Sequence, residues 1–374
     1  MTTLAHPGET LSADGLLPSA APLALIDADG RLTPEAAGEL TLPAPGVLRE
    51  LHRRMVLGRR FDTQATALTR QGRLAVYPSS RGQDACQVGA VLALRDSDWL
   101  FPTYRDSVAV VTRGVPAEDV LALLRGDWHC GYDPYRYRVA PQCTPLATNT
   151  LHAVGLAHAA RLQAKDQVAL VMLGDGATSE GDTHEALNFA GVWKAPVVFL
   201  VQNNGYAISV PLAKQTAAPT LAAKGIGYGI PSLLIDGNDA AAVYSAVRVA
   251  VERASAGGGP TLIEAVTYRI EAHTNADDAT RYRSSDEVST WLERDPIARL
   301  TAYLSARGLL DDAAAGRLAA EAERLADGVR ERMNAESTVD PAELFEHVYA
   351  HPTAARERQR AALLAELQEQ EPAS

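Results

Sequence analysis

The sequence contains only three cysteines, Cys86, Cys130 and Cys143, and their spacing fits no metal-binding pattern. This content is typical of a reducing cytoplasm. No run approaches the roughly 20 apolar residues of a membrane-spanning helix, and the amino terminus lacks the basic and apolar segments of a secretory signal. The formal net charge of -11 argues against nucleic acid as a partner. We therefore expect a cytoplasmic protein that acts on a small molecule.

Several catalytic motifs are also missing. The segment GDGATS has Ser179 where the third glycine of the dinucleotide motif G-x-G-x-x-G belongs. The phosphate-binding pattern G-x-x-x-x-G-K-[ST] and the hydrolase pattern G-x-S-x-G are absent as well. A nicotinamide-dependent dehydrogenase, a nucleoside triphosphatase and a serine hydrolase are thus disfavoured.

Buried strands alternate with helices along the middle of the chain. The strands are predicted at 167–175, 197–203, 232–236 and 261–269, and helices at 45–71, 84–94, 115–126, 150–164, 183–193 and 240–254. Such alternation predicts an α/β fold, a parallel sheet with helices on both faces, followed by a helical C-terminal region. We expect a loosely ordered N-terminal arm over 1–45, the α/β domain with its helical extension over 46–350, and a charged helical tail over 351–374.

Two polar turns follow consecutive strands of this sheet. Gly174-Asp175-Gly176 ends the first strand, and Asn203-Asn204-Gly205 ends the second. Strand, helix and strand fit the roughly 30 residues of one crossover unit, so both turns lie at carboxyl ends of strands, where ligands bind. A carboxylate and an amide oxygen are hard donors suited to Mg²⁺, and a helix start after Gly176 offers amides to phosphate. Either turn alone is common, but the pair predicts a magnesium-diphosphate site.

The GDG and NN turns resemble the thiamine diphosphate motif shared by transketolases, decarboxylases and 2-oxo acid dehydrogenases. RQGRL at 70–74, GQDA at 82–85, PTYRD at 102–106, TPLAT at 144–148 and the stretch 266–288 resemble, in the same order, the alpha subunits of pyruvate and branched-chain 2-oxo acid dehydrogenases. The similarity extends over roughly residues 45–350. It implies the thiamine diphosphate-binding fold and the first, decarboxylating component of a multienzyme complex.

The resemblance also implies a set of cofactor ligands. Mg²⁺ would be bound by Asp175, Asn204 and the backbone carbonyl of Tyr206. Tyr104 and Arg105 would contact the diphosphate, and backbone groups near Thr144 and Leu146 would hold the aminopyrimidine ring. The remaining cofactor contacts would come from Gly174, Gly176, Ala177 and Ala207.

His273 matches a histidine that the family carries on a loop over the active site. The resemblance implies a catalytic role, contact with the diphosphate or the reaction intermediate, and help in passing the acyl group onward. Arg269, Arg281 and Arg283 could add positive charge around it. The sequence departs from the family in having Glu271-Ala272 before this histidine, and Thr274 stands where animal enzymes carry a phosphorylated serine. Regulation by a kinase is therefore not carried over.

The chain contains one parallel-sheet domain, and the family's catalytic glutamate resides on a beta subunit. The resemblance thus implies an α2β2 heterotetramer that decarboxylates a 2-oxo acid and passes the acyl group to a lipoyl-bearing acyltransferase. Pyruvate and branched-chain acids both remain open as substrates, with Tyr77, Ser79 and Ser80 as candidates for setting pocket width. An acetoin dehydrogenase alpha subunit and a non-catalytic scaffold subunit remain alternatives.

Overall fold

The computed structural model describes residues 16–33, 40–127, 130–336, 340–346 and 348–370. The strands are β1 (Trp99–Phe101), β2 (Ala169–Gly174), β3 (Val197–Asn203), β4 (Tyr206–Ala207), β5 (Val210–Pro211), β6 (Ser232–Asp236) and β7 (Thr261–Val266). The helices are α1 (Pro45–Arg70), α2 (Asp84–Leu92), α3 (Ser107–Thr112), α4 (Ala117–Val120), α5 (Ala122–Arg125), α6 (Pro134–Tyr137), α7 (Thr148–Leu162), α8 (Gly181–Trp193), α9 (Ala240–Ser255), α10 (Ser285–Leu292), α11 (Pro296–Ala306), α12 (Asp312–Asn334) and α13 (Ala354–Gln370).

Five strands form a parallel sheet in the order β1-β2-β3-β7-β6, and β4 and β5 form a separate hairpin. Successive residues of β2 enter different cores. Leu170 and Met172 belong to the core shared with α1, α2 and α9, whereas Ala169, Val171 and Leu173 belong to the core shared with α7 and α8. Burial on both faces explains why the strands are apolar throughout. The predicted fold class is confirmed.

Gly58 occupies a position in α1 where the helical pattern predicts a larger apolar residue. A Cβ atom built there would lie 2.5 Å from Cγ1 of Val108 in α3. The glycine therefore allows α1 and α3 to approach more closely than any side chain would permit.

Part of the expected loose N-terminal arm is folded against the sheet. Leu23 pairs in parallel with Ile235, which extends the sheet beyond β6. The backbone N–H groups of Leu25 and Ile26 both donate to Asp239 Oδ2, at 2.6 and 2.8 Å. Pairing with an edge strand satisfies the unpaired backbone N–H and C=O groups of that strand, which explains why this part of the arm packs against the sheet. Residues 1–15 and 34–39 lie outside the described part of the chain.

Two other boundaries differ from the expectation. The helix predicted over 115–126 is broken into α4 and α5, and it ends at Gly126, whose φ of 89° is left-handed. The chain divides into two compact units, Met1–Met333 and Asn334–Ser374, so the second unit begins before the tail predicted over 351–374. Within it, a 3₁₀ turn at Pro341–Leu344 precedes α13. None of the described helices combines the length and apolar character needed to cross a membrane.

Candidate active site at the carboxyl edge of the sheet

The two polar turns lie side by side. Strands β2 and β3 are neighbours, and Gly174 is in register with Gln202, so both chains leave the sheet at the same edge. A cavity of about 180 Å³ opens there. Eleven of the predicted site residues line it: Tyr104, Arg105, Leu146, Gly174, Asp175, Gly176, Ala177, Asn204, Tyr206, Ala207 and His273. Thr144 does not line this cavity and is exposed.

Asp175 is a buried acid at the base of the cavity, with 1 % of its surface exposed. Burial raises its pKa, and hydrogen bonds from Gln215 and from the backbone of Asn204 oppose that rise. Gln215 Nε2 donates to Oδ2 at 2.6 Å. A buried carboxylate with so few donors is stabilised by a cation. This environment fits a metal ligand.

Asn204 and Tyr206 present two further oxygen atoms. Asn204 Nδ2 donates to Gln83 at 3.1 Å, and its Oδ1 accepts the backbone N–H of Tyr206 at 3.3 Å. The Tyr206 hydroxyl donates to Glu287 at 3.0 Å and its ring packs against Tyr268 and Tyr282, so its side chain is engaged and its backbone carbonyl is the oxygen it can offer at the cavity. Arg269 Nη1 lies 3.5 Å from that carbonyl.

These donors suit one type of metal. The described residues contain no cluster of three His, Cys, Asp or Glu side chains able to hold an ion, which disfavours a zinc-type site. One carboxylate, one amide oxygen and one carbonyl form instead the partial oxygen set that Mg²⁺ completes with phosphate and water. The residues present therefore fit Mg²⁺ bound together with a diphosphate.

The GDG turn brings the backbone close to the β4–β5 hairpin. A Cβ atom on Gly176 would lie 2.7 Å from Cβ of Ala207. A 3₁₀ turn spans Gly176–Ser179, and α8 begins at Gly181, two residues before the helix predicted over 183–193. The backbone amides that directly follow Asp175 thus belong to the 3₁₀ turn and not to α8.

Arg105 is a buried cation facing the cavity. Its Nη1 donates to the Ser79 carbonyl at 3.0 Å, and its Nη2 donates to the His273 carbonyl at 3.0 Å. Its guanidinium lies 5.4 Å from the centre of the Tyr104 ring. Among the described residues, no carboxylate forms an ion pair with Arg105. Its charge is therefore available to an anionic ligand.

His273 is neutral in this environment. Burial, followed by the charges of Arg105 and Arg269, lowers its pKa to about 4, although Asp277 opposes the shift. Nη2 of Arg105 lies 3.1 Å from Nδ1. Because a guanidinium can only donate, Nδ1 must accept and the proton must reside on Nε2. The ring can therefore donate a hydrogen bond from Nε2.

Of the three flanking arginines, Arg269 alone lines the cavity. It is 1 % exposed, and its Nη2 donates to the Ile208 carbonyl at 2.7 Å and the Tyr282 hydroxyl at 2.9 Å. Ile208 has a φ of +56°, which is unfavourable for a β-branched residue. Arg269 thus holds a strained loop at the cavity. Arg283 instead bonds backbone carbonyls, and Arg281 is exposed.

Tyr77, Ser79 and Ser80 are buried behind this cavity, and their role in setting the width of the substrate pocket stays a prediction. The hydroxyls of Tyr77 and Ser79 both donate to the buried carboxylate of Asp62, at 2.8 and 2.6 Å. The Ser80 hydroxyl donates to the Arg105 carbonyl at 2.7 Å. These residues support the segment that carries Arg105, and they do not line the cavity.

Three amide side chains in the site were not predicted from the sequence. Gln83, Gln202 and Gln215 each bond a residue of the two polar turns or of the segment after β1. Gln83 lies within the GQDA motif, and Gln202 lies two residues before Asn204, so their positions gave a signal. Gln215 lies 40 positions from Asp175, and nothing in the sequence pattern relates the two.

Comparison with known proteins agrees with this site. The family model "Dehydrogenase E1 component" matches residues 52–341. The alpha subunit of 3-methyl-2-oxobutanoate dehydrogenase from Mycobacterium tuberculosis is 47 % identical over 346 residues, which are 92 % of this chain and 94 % of that protein. The alpha subunit of the pyruvate dehydrogenase E1 component from Staphylococcus epidermidis is 42 % identical over 290 residues, 77 % of this chain and 78 % of that protein.

The chain belongs to the dehydrogenase E1 component family. The prediction that it is the alpha subunit of a 2-oxo acid dehydrogenase, and so part of an enzyme, is confirmed. Membership also supports the expected use of thiamine diphosphate.

Proposed function

We propose that this chain binds the diphosphate and magnesium of thiamine diphosphate and, with a beta subunit, decarboxylates a branched-chain 2-oxo acid. The observation that carries this proposal is the pairing of charges in one cavity. Asp175 and the oxygens of Asn204 and Tyr206 face a position for a cation, and Arg105 and Arg269 face a position for an anion. A metal diphosphate satisfies both.

Each predicted residue has a role in this proposal. Asp175, Asn204 Oδ1 and the Tyr206 carbonyl hold Mg²⁺, and Arg105 with Tyr104 holds the diphosphate. The backbone of Gly174 to Ala177 and of Ala207 allows the close approach that a phosphate needs.

Leu146 is the candidate support for the organic part of the cofactor. It lines the cavity and is 40 % exposed, so an apolar ligand surface would cover it. The role of Thr144 would fall to its backbone, because its side chain is exposed away from the cavity.

The protein's own chemistry centres on His273. Bound thiamine diphosphate supplies the electron sink for decarboxylation. The Nε2–H of His273 can donate to a diphosphate oxygen or to the oxygen of the substrate. Burial and the charge of Arg105 keep the ring neutral, and Arg105 orients it. A neutral donor in a partly buried site can stabilise developing negative charge without itself being desolvated as a cation.

A beta subunit is required because this chain supplies half of a site. Its single parallel sheet offers one cavity edge, and the family's catalytic glutamate resides on the beta chain. We propose an α2β2 heterotetramer that passes the acyl group to a lipoyl-bearing acyltransferase. The three cysteines are free thiols, which fits the cytoplasmic location that we also propose.

The substrate is proposed from the relatives. The Mycobacterium tuberculosis relative, whose alignment covers 92 % of this chain, acts by its name on 3-methyl-2-oxobutanoate. Pyruvate is the second candidate. An acetoin dehydrogenase remains a third. A scaffold without catalysis is disfavoured, because it would not need an acid and two arginines buried in one cavity.

The test is turnover by the chain reconstituted with its beta subunit, measured with 3-methyl-2-oxobutanoate, pyruvate and acetoin. We expect the highest kcat/KM for the branched acid. No turnover is expected when the Asp175→Ala variant replaces the native chain. Glu185→Ala is the matched control, since Glu185 is exposed on α8 and does not line the cavity. Full turnover by Asp175→Ala would refute the site, and preference for another substrate would refute the assignment of the acid.

A further inference from the structure

A continuous chain of buried side chains runs from the candidate metal site into the protein. Asn204 Nδ2 donates to Gln83 Oε1 at 3.1 Å, and Gln83 Nε2 donates to Gln202 Oε1 at 2.9 Å. Gln202 Nε2 then donates to Asp106 Oδ1 at 2.7 Å. All four residues are buried, so water cannot readily replace any of these contacts.

Asp106, at the far end of this series of hydrogen bonds, fixes the direction in which the bonds run. The other oxygen of Asp106, Oδ2, accepts the backbone N–H and the hydroxyl of Thr103, each at 2.7 Å. Burial raises the pKa of Asp106, whereas the hydrogen bonds from Gln202 and Thr103 and the charge of Arg105 favour its ionised form. The ionised carboxylate has no hydrogen to donate. Gln202 must therefore turn its NH₂ group toward Asp106.

The orientation of every other amide follows from this one. With its NH₂ group at Asp106, Gln202 presents its oxygen to Gln83. Gln83 must then donate to Gln202 and present its own oxygen to Asn204. Asn204 must donate in turn, which leaves its Oδ1 on the opposite side, facing the cavity. The reversed chain would place an amide NH₂ group at the metal position, and NH₂ cannot bind a cation.

We infer that Asp106, Gln202 and Gln83 are positioning residues that make Asn204 a metal ligand by fixing which end of its amide faces the cavity. The inference rests on the proposed function, because it concerns the same Mg²⁺ site. It assigns a role to Asp106, which touches neither turn, and it connects the metal site to the segment that carries Arg105.

The decisive variant is Asp106→Asn, which has nearly the same shape. The Thr103 N–H needs an acceptor, so the new amide keeps its oxygen there and turns its NH₂ group toward Gln202. Gln202, Gln83 and Asn204 then reverse in sequence. Supporting residues of this kind typically change metal affinity by about 10–100-fold, and we expect a loss of at least tenfold.

The double variant Asp106→Asn/Gln202→Glu should restore binding with no change in net charge. The introduced glutamate would accept from the new amide with one oxygen and from Gln83 with the other, so Gln83 and Asn204 regain their native orientation. Gln202→Met tests the alternative that only charge matters. This variant interrupts the series of hydrogen bonds without altering charge, and we expect it also to lower the affinity for the metal at least tenfold.

The experiment is titration of the α–β heterotetramer with Mn²⁺ in the presence of thiamine diphosphate, followed by electron paramagnetic resonance. Thermal unfolding without metal or cofactor, run alongside, shows that each variant is folded. The expected result is weak binding by Asp106→Asn and Gln202→Met, and affinity within about threefold of the native value in the double variant.

Three results would overturn the inference: native affinity in Asp106→Asn, native affinity in Gln202→Met, or a double variant as weak as Asp106→Asn. In each of these the native heterotetramer still binds Mn²⁺ and the proposed function stands. If the native heterotetramer itself binds no Mn²⁺ with thiamine diphosphate, the proposed function fails and this inference fails with it.

Discussion

Replacing Gly176 by alanine tests whether the GDG turn is built for close contact with the β4–β5 hairpin. The added Cβ would lie 2.7 Å from Cβ of Ala207, whereas carbon atoms in contact are normally about 3.5–4.0 Å apart. The hairpin would have to move by roughly 1 Å, and overpacking of this kind costs about 1–3 kcal/mol. Because Tyr206 precedes Ala207, its carbonyl would leave the proposed metal position.

We therefore expect two effects of Gly176→Ala, measured on the heterotetramer. Without cofactor, the α chain should unfold at a temperature lower by about 2–12 °C, since 1 kcal/mol corresponds to roughly 2–4 °C in proteins of moderate size. Mg²⁺ and thiamine diphosphate should raise the unfolding temperature of the native protein, and this stabilisation should be largely lost in Gly176→Ala.

The neighbouring glycine of the motif supplies the control. A Cβ atom on Gly174 meets no atom within 4 Å, so Gly174→Ala should unfold, without cofactor, at nearly the native temperature. If Gly176→Ala also keeps the native unfolding temperature and the full response to cofactor, the close approach of the turn and the hairpin has no part in the site.

Three further predictions concern other parts of the chain. In the cofactor-free heterotetramer, NMR titration should place the pKa of His273 near 4. Between pH 4 and the usual pKa of 6.5 only the unfolded chain binds the proton, so His273 lowers the free energy of unfolding as the pH falls through that window. A titration midpoint above about 6 would contradict the argument that burial keeps the ring neutral. Arg105→Lys should raise the Kd of thiamine diphosphate about 10–100-fold by isothermal titration calorimetry, because one ammonium cannot replace charge-assisted bonds worth about 1.5–3 kcal/mol; an unchanged Kd would exclude Arg105 from the cofactor site. Asp239→Ala should lower the free energy of unfolding in urea by about 2–4 kcal/mol and speed hydrogen exchange at Leu25 and Ile26, since Asp239 caps α9 and binds the arm. Asp239→Ser should keep the cap of α9 and lose only the contact with the arm. Equal stability of the two variants would argue against separate contributions from the cap and the arm.

Those features that depend on strand periodicity and strand ends could be predicted from the sequence. β3 and β6 begin and end where the apolar runs predict. Asp175 and Asn204 converge because both follow parallel neighbours, a consequence of topology that needs no knowledge of side-chain packing. The cavity residues were carried over from the family motifs, and the structure brings all but Thr144 to one cavity.

Features that depend on contacts between distant segments could not be predicted. Gln215 reaches Asp175 only because the segment after β5 folds back over the cavity. Ser79 and Ser80 are buried behind the cavity because the buried acid Asp62 on α1 draws their segment inward. The arm that pairs with β6 is likewise held by Asp239, which is 214 residues from Leu25 in sequence, and composition alone suggests disorder there.

The account depends most directly on the position of the metal. Crystals of the α–β heterotetramer grown with thiamine diphosphate and Mn²⁺, an ion with the same preference for six oxygens, would show that position by anomalous diffraction. We predict one site per α chain, bound by the Asp175 carboxylate, Asn204 Oδ1 and the Tyr206 carbonyl at roughly 2.0–2.2 Å. A bound cofactor whose metal lies away from these three oxygens would contradict it.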